Sequence, residues 1–320
     1  MPMAAFLLRR LLGLVGVLLG MSVLIFGIIH ILPGNVAYAI LGEFATPAAV
    51  AQLEAKLGLN DPLPVQYWRW LSAMLQGDFG MSLVMSRPAG PLIAEALGRS
   101  ALVASLAFGL VAAGGIGLGL YAATHRGRPS DKVLTLAQFV LIAVPEFFWA
   151  ILAVLAFASW LNLLPATGYA PLSDGVAKWA AHLVLPVLVL AFGLVAHVSR
   201  LTRSSMIEVL DSRYVLAARA RGLPERQVLW GHALPNALLP AITVLAIDAG
   251  LLIGGIVVVE TVFAYPGLGR LLVYAIERHD LPLLQVGMMV VTAIYALANF
   301  VADLLYAALN PRIRVSGTAA

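Results

Sequence analysis

Three carboxylates and two histidines stand where charged side chains are rare, inside long apolar runs: Glu146, Asp248, Asp303, His182 and His197. An ionisable group in hydrocarbon is costly, so each is a candidate for lining a polar path, relaying a proton or meeting a partner. His182 and His197 lie near the ends of their run and can reach the interface, while Asp303 can pair with arginines beyond it. Glu146 and Asp248 are deeper, and two readings stay open for them: a wall of a transport path, or an interhelical hydrogen bond. Other chemistry is excluded by what is missing. Backbone amides and a lysine must hold nucleotide phosphates, yet none of the three lysines, Lys56, Lys132 and Lys178, follows a glycine as a phosphate loop requires. There is no H-E-x-x-H and no G-x-S-x-G. With no cysteine, thiolate metal sites and disulfides are also out. The chain is expected not to be an enzyme, to hold no cofactor or metal of its own, and to draw any transport energy from another protein.

The elements that must position these groups are membrane helices. Of the 320 residues 61% are hydrophobic and only 11% charged, against about a quarter charged in soluble domains. A hydrocarbon core of about 30 Å takes roughly 20 helical residues. Six runs meet that length, over Leu11–Leu32, Ser100–Ala123, Val133–Trp160, Ala181–Val198, Ala237–Val259 and Leu283–Leu309, and each is predicted to be a helix because irregular backbone cannot face lipid. The fold class expected is an all-α integral membrane protein with six transmembrane helices and a structured outer loop. Three parts follow: 1–32 with the first helix, 33–99 as an extracytoplasmic cap, and 100–320 as a five-helix core that includes an inner loop at 200–236.

Six spans place both termini on one side, and the basic residues choose the cytoplasmic one. Of the 20 lysines and arginines, 13 then lie inside: Arg9, Arg10, Arg126, Arg128, Lys132, Arg200, Arg203, Arg213, Arg219, Arg221, Arg226, Arg312 and Arg314. The inner segments net +9 and the outer ones −2. The surplus positive charge is therefore a topology signal and not a nucleic-acid footprint. Arg9 and Arg10 before an apolar run, followed by Ala37-Tyr38-Ala39, mimic a secretory signal. The run of 22 residues exceeds the roughly 7 to 15 of such signals, so an uncleaved anchor is expected.

In the long outer loop, Thr46-Pro47 predicts a helix start and Gly58 its stop, and a second helix is expected over Pro64–Gln76 before Gly77. Its Tyr67, Trp68 and Trp70 suit either a belt at the lipid headgroups, the preferred reading, or a small cap. Trp160 and Trp179 bracket a second outer loop at the two interfaces, and Glu260 to Pro282 forms a third, too polar for lipid. Glycine pairs at four-residue spacing, Gly16/Gly20, Gly115/Gly119 and Gly250/Gly254, predict close helix approach.

The inner segment Arg200 to Pro240 reads as two short helices and a corner. Ser204 or Ser205 caps the first, Ile207, Leu210, Tyr214, Ala217 and Ala218 share one of its faces, Gly222 turns left-handed to end it, Leu223 folds back, and Pro224 opens the second. This segment resembles the E-A-A-x₃-G-x₉-I-x-L-P loop of ABC-importer membrane subunits. Ala217, Ala218, Gly222, Leu234 and Pro235 fall in register, while Leu216 replaces the Glu and His232 the Ile. Further stretches, "LLRRLLGLVGVLLGMSVLIFGIIHILPG", "LGLNDPLPVQYWRWL", "GDFGMSL", "VVVETVFAYPGLGRLL" and "DLLYAALNPRIR", extend the likeness over nearly the whole chain to B-type permeases of the dipeptide/oligopeptide/nickel family.

That resemblance implies the type I importer fold in a prokaryotic inner membrane, and a set of partners. These are a homologous C-type permease, two cytoplasmic ATPases that carry ATP and Mg, an extracytoplasmic binding protein, and membrane lipid. It also implies that the inner loop docks into an ATPase cleft, with Tyr214, Ala217, Ala218, Gly222 and Leu223 as docking surface and turn. Arg219, Arg221 and Arg226 either add salt-sensitive contacts or form a solvated basic face. Peptides lead among the implied substrates, with nickel chelates and oligosaccharides as alternatives. An ion-coupled secondary transporter using Glu146 or Asp248 is disfavoured by the absence of repeated halves, and an intramembrane hydrolase by the absence of a nucleophile or zinc motif.

Overall fold

A computed structural model describes residues 3–31 and 45–309. The expectations placed on Ala37-Tyr38-Ala39, Arg312 and Arg314 lie outside them. Among the described residues nearly all regular structure is helical, with one isolated β-bridge between Met81 and Pro88. The helices are α1 Met3–Ile31, α2 Pro47–Leu57, α3 Leu63–Leu75, α4 Ala89–Thr124, α5 Pro129–Ala143, α6 Glu146–Trp160, α7 Val176–Leu210, α8 Arg213–Ala220, α9 Glu225–Val262, α10 Leu268–Glu277 and α11 Leu281–Leu309. Five are long and apolar enough to cross a membrane: α1, α4, α7, α9 and α11. Each covers one of the six runs expected.

The remaining run, Val133–Trp160, is not one helix. It is the pair α5 and α6, bent by 107°. Pro145 explains the break, since it has no N–H to donate and disfavours a helical Val144, which is extended (ψ 128°). At about 1.5 Å per residue, each 15-residue half reaches only about 22 Å. Residues of α6 from Val154 to Trp160 also widen into a π-helix.

The described residues divide into two compact units, 6–31 and 45–99 with 266–297, and 100–265 with 3–5 and 298–309. In the first, Thr46 accepts from the Ala49 amide to cap α2, and Gly58 ends it at φ 68°, as the sequence predicts. Tyr67 and Trp70 pack within this unit. Tyr67 shares a 2.7 Å hydrogen bond with Ser22 of α1 and meets Phe26 edge-on, and Trp70 packs with Ile25 and Met289. Only Trp68 points outward, 67% exposed. Burying Ser22 and the tyrosine hydroxyl costs little because each satisfies the other. Asp280 caps α11: its carboxylate accepts from the Leu283 amide, from Ser82 at 2.5 Å and from the amides of Leu83 and Val84. The 77–88 hairpin is thereby pinned to the start of that helix.

In the second unit α7 is the central packing element, with α5, α6 and α9 against it. Its core combines Val103, Ala107 and Val111 of α4, Leu185, Val189 and Leu190 of α7, and Leu252, Ile256 and Val259 of α9. Of the three glycine pairs, Gly115/Gly119 makes the expected close approach. A Cβ at Gly119 would sit 2.6 Å from the Ser199 carbonyl oxygen and 2.6 Å from Thr202 Cβ, and one at Gly115 2.7 Å from Val198 Cβ. Gly16, Gly20 and Gly254 face open space. Gly119→Val is expected to force α4 off α7 at a cost of about 1–3 kcal/mol, read as a lowered Tm of the detergent-purified protein. Gly117→Val, two residues away and meeting nothing within 4 Å, should leave Tm unchanged.

Candidate coupling loop and membrane polar groups

The segment expected to form the inner loop departs from its expected layout at one end. Ser204 and Ser205 do not cap anything; α7 runs through them to Leu210, because the apolar face expected of a new helix belongs to the end of a long one. The break comes at Asp211-Ser212. Ser212 is extended (φ −72°, ψ 151°) ahead of α8, and its hydroxyl donates backward to the Val209 carbonyl at 2.6 Å. It closes α7 instead of capping α8.

At the other end the layout is as expected. Gly222 has φ 78°; its amide donates to the Arg219 carbonyl at 2.9 Å and the Leu223 amide to the Ala218 carbonyl at 3.4 Å. This is a Schellman closure, completed by Leu223 folding onto the same apolar cluster as Ala218. Pro224 stands just before α9. Val228–Ala233 form a π turn ahead of Leu234 and Pro235. Pro235 has no N–H to continue a regular ladder, and a wider turn accommodates that loss.

Spacing sorts α8 into two faces. Val215 and Ala218, three apart, are fully buried against Met206, Val228, Ala233 and Ala237. Tyr214, Leu216 and Ala217 point outward, Tyr214 44% and Leu216 53% exposed. Ala218 and Leu223 are therefore packing residues of the knob, and Tyr214 and Ala217 are surface. Leu216 was not among the expected surface residues, although its departure from the Glu of the E-A-A loop pattern was the available signal. Arg219 is engaged within the loop: its guanidinium donates to both Glu225 oxygens at 2.6 and 3.1 Å, and that carboxylate holds its pKa above the usual arginine value. Arg221 and Arg226 are exposed.

A second set of contacts anchors the end of α7. Asp131, buried in the first turn of α5, accepts from Arg203 Nε at 2.6 Å, from its Nη2 at 2.8 Å, and from the Gly127 amide at 2.9 Å. Nearby, Arg126 meets Asp211 at 3.1 Å on the surface. Sequence reading counted Asp131 and Arg203 only as inner charges, since their pairing spans 72 positions.

Of the five intramembrane candidates the fold brings two together. His197 of α7 lies 3.3 Å from both oxygens of Asp248 of α9; the aspartate is fully buried and the histidine side chain 41% exposed. Glu146 stands apart at the α5/α6 corner, on the wall of a cavity of about 300 Å³. His182 Nδ1 is 2.8 Å from the Lys178 carbonyl of its own helix, an arrangement suited to an interface. Asp303 is half-buried on α11. One buried carboxylate was misplaced by sequence: Glu260, counted in an outer loop, is the last-turn residue of α9 and accepts from Ser100 at 2.5 Å. Gln138 and Ser199 make a further buried pair at 2.7 Å.

Two family models cover this chain nearly end to end. Residues 115–315 match the binding-protein-dependent transport system inner membrane component, and residues 3–100 match the N-terminal region of the corresponding membrane components. Among curated proteins, the probable peptide ABC transporter permease protein y4tP of Sinorhizobium fredii is 37% identical over 312 residues, covering 98% of this chain and 100% of that one. The dipeptide transport system permease protein DppB of Alkalihalophilus pseudofirmus is 36% identical, covering 98% and 100%. The glutathione transport system permease protein GsiC of Salmonella paratyphi A is 37% identical, covering 98% and 99%. With five membrane-length apolar helices and a bent pair among the described residues, and with matches of this length, the chain is a transport subunit: it belongs to the family of inner membrane components of binding-protein-dependent transport systems.

Proposed function

We propose that this permease is half of the translocation pore of an ATP-driven importer for di- and oligopeptides. The observation that carries the coupling part of the reading is the α8 knob. Its Schellman closure, buried Val215 and Ala218, and Arg219–Glu225 clamp make it a rigid body, and α7 and α9 lead directly from it. A rigid knob passes on the displacement of whatever grips it, whereas a flexible loop absorbs it. Tyr214, Leu216 and Ala217 supply the apolar contact to a cytoplasmic ATPase, and Arg221 and Arg226 the charged rim. Both termini and the knob are cytoplasmic, in keeping with the arginine distribution. A second, C-type permease completes the pore, two ATPases bind ATP and Mg, and an extracytoplasmic binding protein delivers cargo. The peptide assignment rests on the relatives, which are peptide, dipeptide and glutathione permeases, glutathione being itself a tripeptide.

The test is isolation of the complex from its native membrane. The chain should co-purify with an ATPase and a second permease, and proteoliposomes of that complex should accumulate a radiolabelled dipeptide only with internal ATP and external binding protein. Uphill uptake by the chain alone would overturn the reading.

A further inference from the structure

The cavity at the α5/α6 corner is built around one carboxylate. Pro145 breaks the helix, and Glu146, the next residue, turns its side chain toward α9, where a Cβ on Gly255 would stand only 2.7 Å from Oε2 and 3.0 Å from Oε1. Gly255 thus leaves the notch that the carboxylate occupies. Oε1 is shielded and makes no hydrogen bond among the described residues. The rest of the wall is apolar: Leu141, Trp149, Leu190 and Leu251. The Trp149 indole N–H is spent on the Leu141 carbonyl at 3.3 Å, which ties the two sides of the bend, and the residue itself lines the cavity. A volume of about 300 Å³ is at the small end of ligand pockets, roughly 300–1,000 Å³.

A buried acceptor without a donor is a liability unless something supplies the donor. A group with a positive charge and several N–H bonds, small enough to enter beside an indole, satisfies that need; a primary ammonium does so, and an aromatic face favours it further. We propose that this corner is a transit site for a primary ammonium, Glu146 accepting its hydrogen bonds and Trp149 flanking it. Resting on the peptide-import reading, the ammonium is the amino terminus of the cargo.

The probe is n-butylammonium, with n-butanol as its uncharged match, applied to proteoliposomes of the complete complex during dipeptide uptake. In the wild type butylammonium should inhibit uptake and butanol should not. Glu146→Gln should lower uptake roughly ten- to a hundredfold, the equivalent of one charge-assisted hydrogen bond, and remove the butylammonium sensitivity, with Glu146→Asp in between. Equal inhibition by both probes, or Glu146→Gln with unchanged uptake and sensitivity, overturns the site. Loss of the partner permease from purified Glu146→Gln complex also overturns it, since the carboxylate would then serve a basic side chain of that partner. The two readings fail separately: a wild type that imports a non-peptide cargo yet is blocked by butylammonium in a Glu146-dependent way discards the peptide and keeps the ammonium site.

Discussion

Gly222→Val is expected to reduce uptake by the reconstituted complex to less than about a tenth, while the chain still inserts in the membrane. Nothing lies within 4 Å of a Cβ built at Gly222, so the effect cannot come from a clash. It comes from φ 78°, a conformation that costs an ordinary L-residue roughly 1–2 kcal/mol and a β-branched one more. The cost falls on an eight-residue helix, too short to hold itself together without its closure. If the turn relaxes, the Gly222 and Leu223 amides lose the Arg219 and Ala218 carbonyls, Leu223 leaves the cluster around Ala218, and Arg219 loses its register with Glu225. A knob that yields cannot pass motion to α7 and α9. Gly222→Asn is the matched control, because asparagine tolerates the left-handed region, and it should retain most uptake. ATPase activity stimulated by binding protein, measured beside uptake, locates the fault: the valine variant should lose the stimulation together with transport. Wild-type uptake in that variant would show that the closure is not needed for coupling.

This contrast also marks what was legible in the sequence. Gly222, Pro224, Thr46, Gly58 and Gly77 specify their turns by local chemistry, a positive φ, a missing N–H or, at Thr46, a capping hydroxyl, and all five stand at the expected helix ends. The apolar runs specified the membrane helices for the same reason: hydrocarbon requires about 20 residues in a row wherever they pack. The break at Pro145 was equally local, yet it was hidden by the 28-residue apolar run around it, which hydropathy reads as one span. Ser204 and Ser205 misled because serine signals a cap only where the apolar rhythm restarts, and here it continued to Leu210. Pairings across the chain had no local signature. Ser22 with Tyr67, Ser82 with Asp280, Ser100 with Glu260 and His197 with Asp248 are 45 to 198 positions apart. In each, a polar group is satisfied by a partner that its own stretch of sequence gives no sign of. Among the described residues Glu146 is the carboxylate in an apolar run whose anomaly persists after packing, with Oε1 still lacking a donor, which is why the cavity beside it carries functional weight.

Breaking the Asp131–Arg203 pair is expected to have the largest effect on stability. Asp131 is 3% exposed, and of the three hydrogen bonds its carboxylate accepts, two come from Arg203. Arg203→Ala leaves a buried anion with one amide donor, a change that costs about 3–5 kcal/mol where both partners are buried and less here, since the Arg203 side chain is 26% exposed, whereas the exposed Arg126–Asp211 pair is worth no more than about 1 kcal/mol. The single substitution should therefore lower the Tm of the purified protein clearly, and Arg126→Ala should barely move it. Asp131→Leu with Arg203→Met removes both charges in side chains of similar bulk and should recover most of the lost Tm, because the penalty lies in the orphaned charge and not in the absence of a bridge. Transport need not recover with it. The pair joins the first turn of α5, the helix that leads to the Pro145 corner, to α7 ten residues before α8 begins, so under the proposed coupling it would link the knob to the bent pair. A double variant with wild-type Tm and depressed uptake would assign the charges to that linkage, and one with full recovery of both would make them structural alone. Single variants as stable as the wild type would show that the pair does nothing measurable for the fold.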